Sequence, residues 1–187
     1  MTYLTNDLKI TNKTRKNDLV EFLNSLSKKT TENFNHFGNI SIKNVDDIAE
    51  RELRRKDKIK FFSYFNDQLI AYSFLTKFEK NTKKHNCILG IVVNEKWQKK
   101  GFGTMICEMM IKTAWKKGYE KIWLTVFSDN LLAVKLYKKL GFEVEGIFIG
   151  DEVIKNRNKD VISMAIFKTL KNNSKKRNRI LEVMRGL

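Results

Sequence analysis

Residues 92–104 read Val92-Val93-Asn94-Glu95-Lys96-Trp97-Gln98-Lys99-Lys100-Gly101-Phe102-Gly103-Thr104. A strand with an almost continuous apolar end, the pattern of burial on both faces, stops at Val93. A short polar stretch follows, and a helix opens at a Gly-x-Gly with two lysines just ahead of it. Unpaired backbone N–H groups at a helix N-terminus attract anions. Glycine lets a phosphate approach the backbone with no Cβ in the way, and Lys99 and Lys100 add positive charge. The stretch is not a Walker A loop, because no Gly-Lys-Ser/Thr follows. It is not a dinucleotide fingerprint either, because the third glycine is absent and no acidic residue ends the next strand. Alone it admits two readings, a phosphate cradle or an ordinary glycine-bearing turn.

Working outward, the hydrophobic pattern alternates between strand and helix periods. Gly101 to Lys117 predicts a helix with Phe102, Ile106, Met109, Met110 and Ala114 inward, stopped by Gly118. Lys121 to Phe127 predicts a strand. Asp129 to Leu140 predicts a helix with Leu132, Ala133, Leu136 and Leu140 on one face. Phe142 to Ile149 and Asp160 to Phe167 predict two strands joined by a polar loop, Gly150 to Lys159. On the N-terminal side, His85 to Val93 is a strand, and Lys60 to Phe65 and Leu69 to Phe78 form a hairpin about Asn66-Asp67-Gln68. Asn44 to Lys56 predicts a helix with Asn44 as N-cap and Asp46 and Asp47 in its first turn. Asp18 to Leu26 is a further helix and Tyr3 to Ile10 a first strand. The order β-α-α-β-β-β-α-β-α-β-β is an α/β fold, a seven-strand mixed sheet with helices on both faces. The strands ending near Val93 and starting near Lys121 are expected to be parallel neighbours.

Composition narrows the class. The chain has 187 residues, no proline and 42% hydrophobic residues, enough to bury a core as one domain. We expect a single domain over residues 1–168 and a basic tail or helix over 169–187. No apolar run approaches the ~18 residues of a membrane span, and the first twenty residues lack a signal-peptide core. Two cysteines, Cys87 and Cys107, form no CxxC or Cys/His cluster; this argues against a disulfide scaffold or a metal site and fits a cytoplasmic protein. Net charge is +16, a surface that attracts polyanions or a phosphorylated cosubstrate. From Lys168 to Leu187 stand seven basic residues and one acid, +6 in all. The basic run Arg51, Arg54, Arg55, Lys56, Lys58 and Lys60 reads as a solvated face, and Trp97, Trp115 and Trp123 as packing.

Three spaced motifs together resemble the GNAT superfamily of N-acetyltransferases. The acetyl-CoA motif of that family, Q/R-x-x-G-x-G/A, stands as Gln98-Lys99-Lys100-Gly101-Phe102-Gly103 between a strand and a helix. Asn130, Ala133 and Leu136-Tyr137, closed by Gly141-Phe142, match its next signature. Asp160-Val161-Ile162-Ser163-Met164 matches its last-strand pattern. The resemblance implies a mostly antiparallel sheet in which the strand of Ile91, Val92 and Val93 splays from that of Leu124 to Phe127. The cosubstrate acetyl-CoA would lie in that gap. Its pantetheine arm would pair with the backbone at Ile91 and Val93, and its pyrophosphate would rest on the amides of Lys99 to Thr104. An amide near Val93 would face the thioester oxygen. Asn130 and Ala133 would hold the arm, although Asn130 equally suits a helix N-cap. Tyr137 would protonate the departing thiolate as general acid, a role open to a phenol of pKa ~10; the alternative is a packed core tyrosine.

The general base is not legible. His85-Asn86-Cys87-Ile88-Leu89, where relatives place a glutamate, has no carboxylate. His85, Glu79 and Glu143 are candidates, as is a water chain to a distant base. The resulting expectation is an acetyl-CoA-dependent N-acetyltransferase, monomer or homodimer, acting by direct attack of a primary amine in a ternary complex. Small amines, amino acids and peptide or protein amines rank above polyamines, entering by Thr30 to Asn44 and Gly150 to Lys159. The alternative is a non-catalytic basic module holding nucleic acid or another polyanion, less favoured because the tail interleaves no aromatic residues for base stacking.

Overall fold

A computed structural model describes residues 3–5, 8–34, 44–78 and 81–168. The basic tail, Glu79, His36 and Phe37 lie outside the described residues. The elements are β1 (Tyr3–Thr5), β2 (Leu8–Thr11), α1 (Lys16–Asn24), α2 (Lys28–Asn33), α3 (Val45–Arg54), β3 (Lys58–Phe65), β4 (Gln68–Lys77), β5 (Asn86–Val93), α4 (Phe102–Lys116), β6 (Lys121–Phe127), α5 (Leu131–Lys139), β7 (Glu143–Ile154) and β8 (Arg157–Phe167). All strands join one sheet in the order β1-β2-β3-β4-β5-β6-β8-β7. Every pairing is antiparallel except β5 with β6. The seven expected strands all form, and the first folds back on itself as β1 and β2.

The sheet separates two cores. Ile106, Cys107, Met110 and Ala114 of α4 and Tyr137 of α5 pack with Cys87, Leu89, Ile122 and Leu124 on one face. Leu19, Phe22 and Leu23 of α1 and Val45, Ile48 and Ala49 of α3 cover Phe62, Tyr72, Phe74 and Val92 on the other. This is the two-sided burial that the apolar end of β5 predicts.

One helix was not expected, and two expectations need correction. The six-residue α2 was not legible, because Lys28 to Asn33 carries no apolar period; Ser27 starts it by accepting the Thr30 N–H at 3.2 Å. Gly150 to Lys159 is not a polar loop. β7 runs to Ile154 and β8 starts at Arg157, with only Lys155 and Asn156, both at positive φ, turning the chain. That is a two-residue turn of the type tight hairpins prefer. Lys58 is not on a solvated face. Its ammonium sits 2.7 Å from Glu52, with both side chains almost fully buried, and 4.3 Å above the Phe74 ring. Tyr72 donates to the same Glu52 carboxylate at 2.8 Å. Lys60 donates to the carbonyls of Glu52, Leu53 and Arg55, closing the C-terminus of α3.

Candidate functional site

The β5–β6 ladder holds for three residues, Asn86↔Lys121, Cys87↔Ile122 and Ile88↔Trp123. Beyond them β5 follows β4 as far as Val93, while β6 follows β8 as far as Phe127. The two strands part, and their facing backbone edges lack a ladder partner. An inner pocket of about 280 Å³ fills the wedge between Gly90 and Ile91 on one side and Thr125 to Phe127 on the other. A longer groove of about 940 Å³ runs from the same place along Val92 and Val93 to Lys99, Gly101, Gly103 and Thr104. Asn33, Phe34, Ile91, Asn130, Ala133 and Tyr137 line both, so the groove and the pocket meet there.

The groove's far end is shaped for an anion. Lys99 and Gly101 have φ of 59° and 88°, and the chain turns directly into α4, whose first amides lack intrahelical acceptors. A Cβ built on Gly101 meets nothing within 4 Å, and one on Gly103 meets only Leu136 Cδ2 at 3.4 Å. Packing within the chain does not demand glycine at 103; the space above it is open to the groove. Lys29, Lys99, Lys135, Lys139 and Lys159 line the groove with Glu32, Glu95 and Asp129, leaving its wall net positive. Lys135 and Lys139 were missed in the sequence. Their i, i+4 spacing on the helix opened by Asn130 is the signal that marks them as one face.

The motif residues divide in their placement. Lys100 and Phe102 do not send their side chains into the groove. The Lys100 ammonium lies 4.7 Å over the Trp97 ring, and Phe102 packs edge-on to Phe65 at 5.2 Å; only their backbone belongs to the turn. Gln98 lines the groove and donates its side-chain N–H to the Val93 carbonyl at 2.9 Å, tying the turn to the end of β5. Asn130 caps α5, its Oδ1 accepting the Ala133 N–H at 3.4 Å.

Tyr137 reaches the junction from the α4/α5 face. It is 7% exposed, and its ring packs 5.6 Å from Phe142. Burial pushes its phenol well above the ordinary value, so it keeps its proton at neutral pH. Cys87 and Cys107 are buried free thiols, each pushed up to about 12 by burial, a state that suppresses thiolate nucleophilicity. His85 is exposed in the turn before β5, and Glu143 is exposed at the start of β7; neither lines the pocket or the groove. Among the described residues no cluster of His, Cys, Asp and Glu is arranged to hold a metal ion, and no helix is long and apolar enough to cross a membrane.

The roof of the site comes from α2. Asn94 Nδ2 donates to Ser25 Oγ at 2.8 Å, and Glu95 accepts the Ser27 N–H at 2.8 Å. These bonds pin the α1–α2 corner to the end of β5 and bring Asn33 and Phe34 over the wedge. Burial works to raise the Glu95 carboxyl, but hydrogen bonds from Ser27 and Thr30 outweigh it and hold it below the ordinary glutamate range. Opposite α2, Lys155 pairs with Glu32, and Lys159 with Asp129. The β7–β8 hairpin is thus tied across the mouth.

Known proteins resemble this chain in sequence and in fold. The chain is 39% identical over 66 residues to the L-amino acid N-acetyltransferase AaaT of Escherichia coli, covering 34% of this chain and 40% of that one. It is 34% identical over 55 residues to the [ribosomal protein bS18]-alanine N-acetyltransferase of Escherichia coli, covering 29% and 37%. The matches thus span less than half the length of these curated relatives. In fold it is similar to the spermidine N-acetyltransferase from Vibrio cholerae solved in complex with CoA and spermine, with a TM-score of 0.73, 22% identity, and coverage of 88% of this chain and 97% of that one. The model of the acetyltransferase (GNAT) family matches residues 21–142, which takes in the end of α1, then α2, α3, β3 to β6, the glycine turn and α5. By that match over more than half its length, the chain belongs to the GNAT acetyltransferase family.

Proposed function

We propose that the protein transfers an acetyl group from acetyl-CoA to a primary amine by direct attack within a ternary complex. The observation that carries this is the junction at Ile91, Asn130, Ala133 and Tyr137, where a long basic-walled groove meets a separate pocket. The groove suits a phosphorylated cosubstrate of extended shape. The amides and open glycines between Lys99 and Thr104 receive the pyrophosphate, and Lys99, Lys135 and Lys139 add charge. The unpaired edge of β5 at Ile91 and Val93 offers hydrogen bonds to an amide-bearing arm. Asn130 and Ala133 border that arm, and Tyr137 keeps its proton for the leaving sulfur. Both thiols are buried and protonated, which supports direct attack over an acyl-cysteine. The matched relatives are named for acetylating amino acids and a ribosomal-protein alanine, which supports an amine acceptor of that broad class.

The test is thiol release from acetyl-CoA across a panel of amino acids, aryl-alkyl monoamines, peptide N-termini and polyamines, with thermal unfolding followed as acetyl-CoA is added. Ligand at 100-fold over its Kd adds about 2.7 kcal/mol of stability. Acetyl-CoA at millimolar concentration leaving the melting temperature unchanged, with no thiol released by any amine, is the result that overturns the reading.

A further inference from the structure

The inner pocket has two titratable side chains among the described residues that line it, Tyr137 and Glu152. They come from opposite faces of the sheet. Tyr137 belongs to the α4/α5 core, which also takes Val126, Ile162 and Met164. Glu152 stands opposite Lys159 in the β7–β8 ladder, and Val161 stands opposite Phe127 in the β6–β8 ladder. Side chains alternate along β8, so Lys159, Val161 and Glu152 share the other face, that of α1–α3. Phe34 and Phe74 line the pocket on that face, their rings 6.4 Å apart and edge to face.

A local irregularity sets the position of Glu152. Between Phe148↔Val161 and Glu152↔Lys159 the register shifts: β7 spends three residues, Ile149 to Asp151, where β8 spends one, Asp160. Gly150 takes a φ of 61° there, and its N–H donates to Asp160 Oδ1 at 2.8 Å. Bulges of this kind bend a strand and re-aim the side chains beyond the bend, and they recur beside active sites.

We infer that Glu152, with Phe34 and Phe74, forms the acceptor subsite: the carboxylate takes the ammonium of a primary amine and one of its protons, and the rings hold an apolar substituent beside it. The inference rests on the acetyl-transfer reading above. β5 supplies no carboxylate. Tyr137 faces the same pocket from α5, and β4 and β5 add no titratable group to it. The ammonium passes one proton to Glu152, which later yields it to water. The freed nitrogen forms the N–C bond to the acetyl carbon as the C–S bond breaks. The sulfur takes the Tyr137 proton, and the proton still in excess on the new amide nitrogen restores that phenol. One proton is released per turnover, as conversion of an ammonium and a thioester into an amide and a thiol requires.

The experiment compares wild type with Glu152→Gln, using 2-phenylethylamine and spermidine as probes. Calorimetric titration of 2-phenylethylamine into CoA-saturated protein gives binding apart from turnover, and kcat is followed from pH 6.5 to 9.5. Expected are a preference of wild type for 2-phenylethylamine, weaker binding of it by at least fivefold in the variant, and a kcat about a hundredfold lower at pH 7. The variant's rate then climbs roughly tenfold per pH unit towards the pKa of the amine, because only pre-deprotonated amine reacts. An active wild type matched by the variant in binding and rate overturns the assignment of Glu152 and leaves acetyl transfer standing. So does a loss with a pH profile parallel to wild type, which marks a structural role. Preference for spermidine overturns the aromatic subsite. A wild type inactive on the whole amine panel overturns the acetyl-transfer reading instead.

Discussion

Phe74 lies across Gly90 so closely that a Cβ on Gly90 would stand 2.4 Å from the Phe74 ring at Cζ. The two residues face each other in the β4–β5 ladder. Glycine there is a requirement of close approach, since it lets the ring reach from β4 over β5 to the wall of the wedge. Behind the ring sits the buried Lys58 ammonium, and Tyr72 lies 6.0 Å away, so the ring has little room to retreat. Gly90→Ala is therefore expected to cost about 1–3 kcal/mol, the usual range for overpacking. Adding Phe74→Leu in the same chain should recover part of it. Denaturant unfolding of both single variants and the double variant measures this coupling, and additive losses would refute the contact.

Gly103→Val separates binding from folding. The chain itself meets the new Cβ only at Leu136, and valine is no worse a helix residue than glycine. The fold should therefore survive while a branched side chain enters the groove. Affinity for acetyl-CoA is expected to fall at least tenfold, about 1.4 kcal/mol. Gly101 is the poorer probe, because its φ of 88° strains any substitution. Isothermal titration of a folded Gly103→Val protein decides, and wild-type affinity would end the phosphate assignment.

Tyr137→Phe keeps the ring against Phe142 and removes the hydroxyl. We expect acetyl-CoA affinity to stay within a few-fold and kcat to drop about a hundredfold when chemistry limits the rate. The drop is smaller if the thiolate departs unassisted, its pKa of about 8.5 lying near neutrality. Lost affinity at constant kcat would make Tyr137 a binding residue.

The latch from Glu95 to Ser27 gives stability a pH dependence of known sign. The Glu95 carboxyl is held below its ordinary range in the fold, so its contribution is present above the unfolded value near pH 4.3. It disappears as pH falls through the lower folded value. Glu95→Gln should cost about 1 kcal/mol at pH 7, and the gap to wild type should close towards pH 3. Melting curves at the two pH values test it; a gap that stays constant contradicts the latch.

The residues that made the fold legible are those with strong local period or backbone demand. The apolar run into Val93, the Gly-x-Gly and the helix behind it fix the β5–α4 unit, and Asn66-Asp67 marked its hairpin by turn chemistry. Lys155-Asn156 turns the chain with the same positive φ values, but it sits among charged residues that read as a loop, so the extended hairpin was hidden. α2 was hidden because a polar six-residue helix held by a cap and by Asn94 and Glu95 has no hydrophobic signature. Lys58 looked exposed because burial of a charge depends on a partner, Glu52, that only tertiary packing supplies. In the site, the groove followed from motifs contiguous in sequence. Glu152 did not, because its place depends on a bulge and on a strand brought alongside from the far end of the chain.

The three-residue ladder between β5 and β6 leaves the molecule with an unfinished sheet. β1 to β5 form one blade and β6 to β8 the other, fastened at Asn86 to Ile88 and open above. A guest with amide groups of its own, threaded along β5, would supply the pairing that a missing strand would have made. Occupancy would then be written into the backbone. Amide hydrogen exchange at those residues of Leu89 to Val93 whose N–H groups face the wedge should be faster than at their neighbours bonded to β4, and it should slow when the wedge is filled. The protein's own exchange map thereby becomes a gauge of what lies between its blades, independent of turnover.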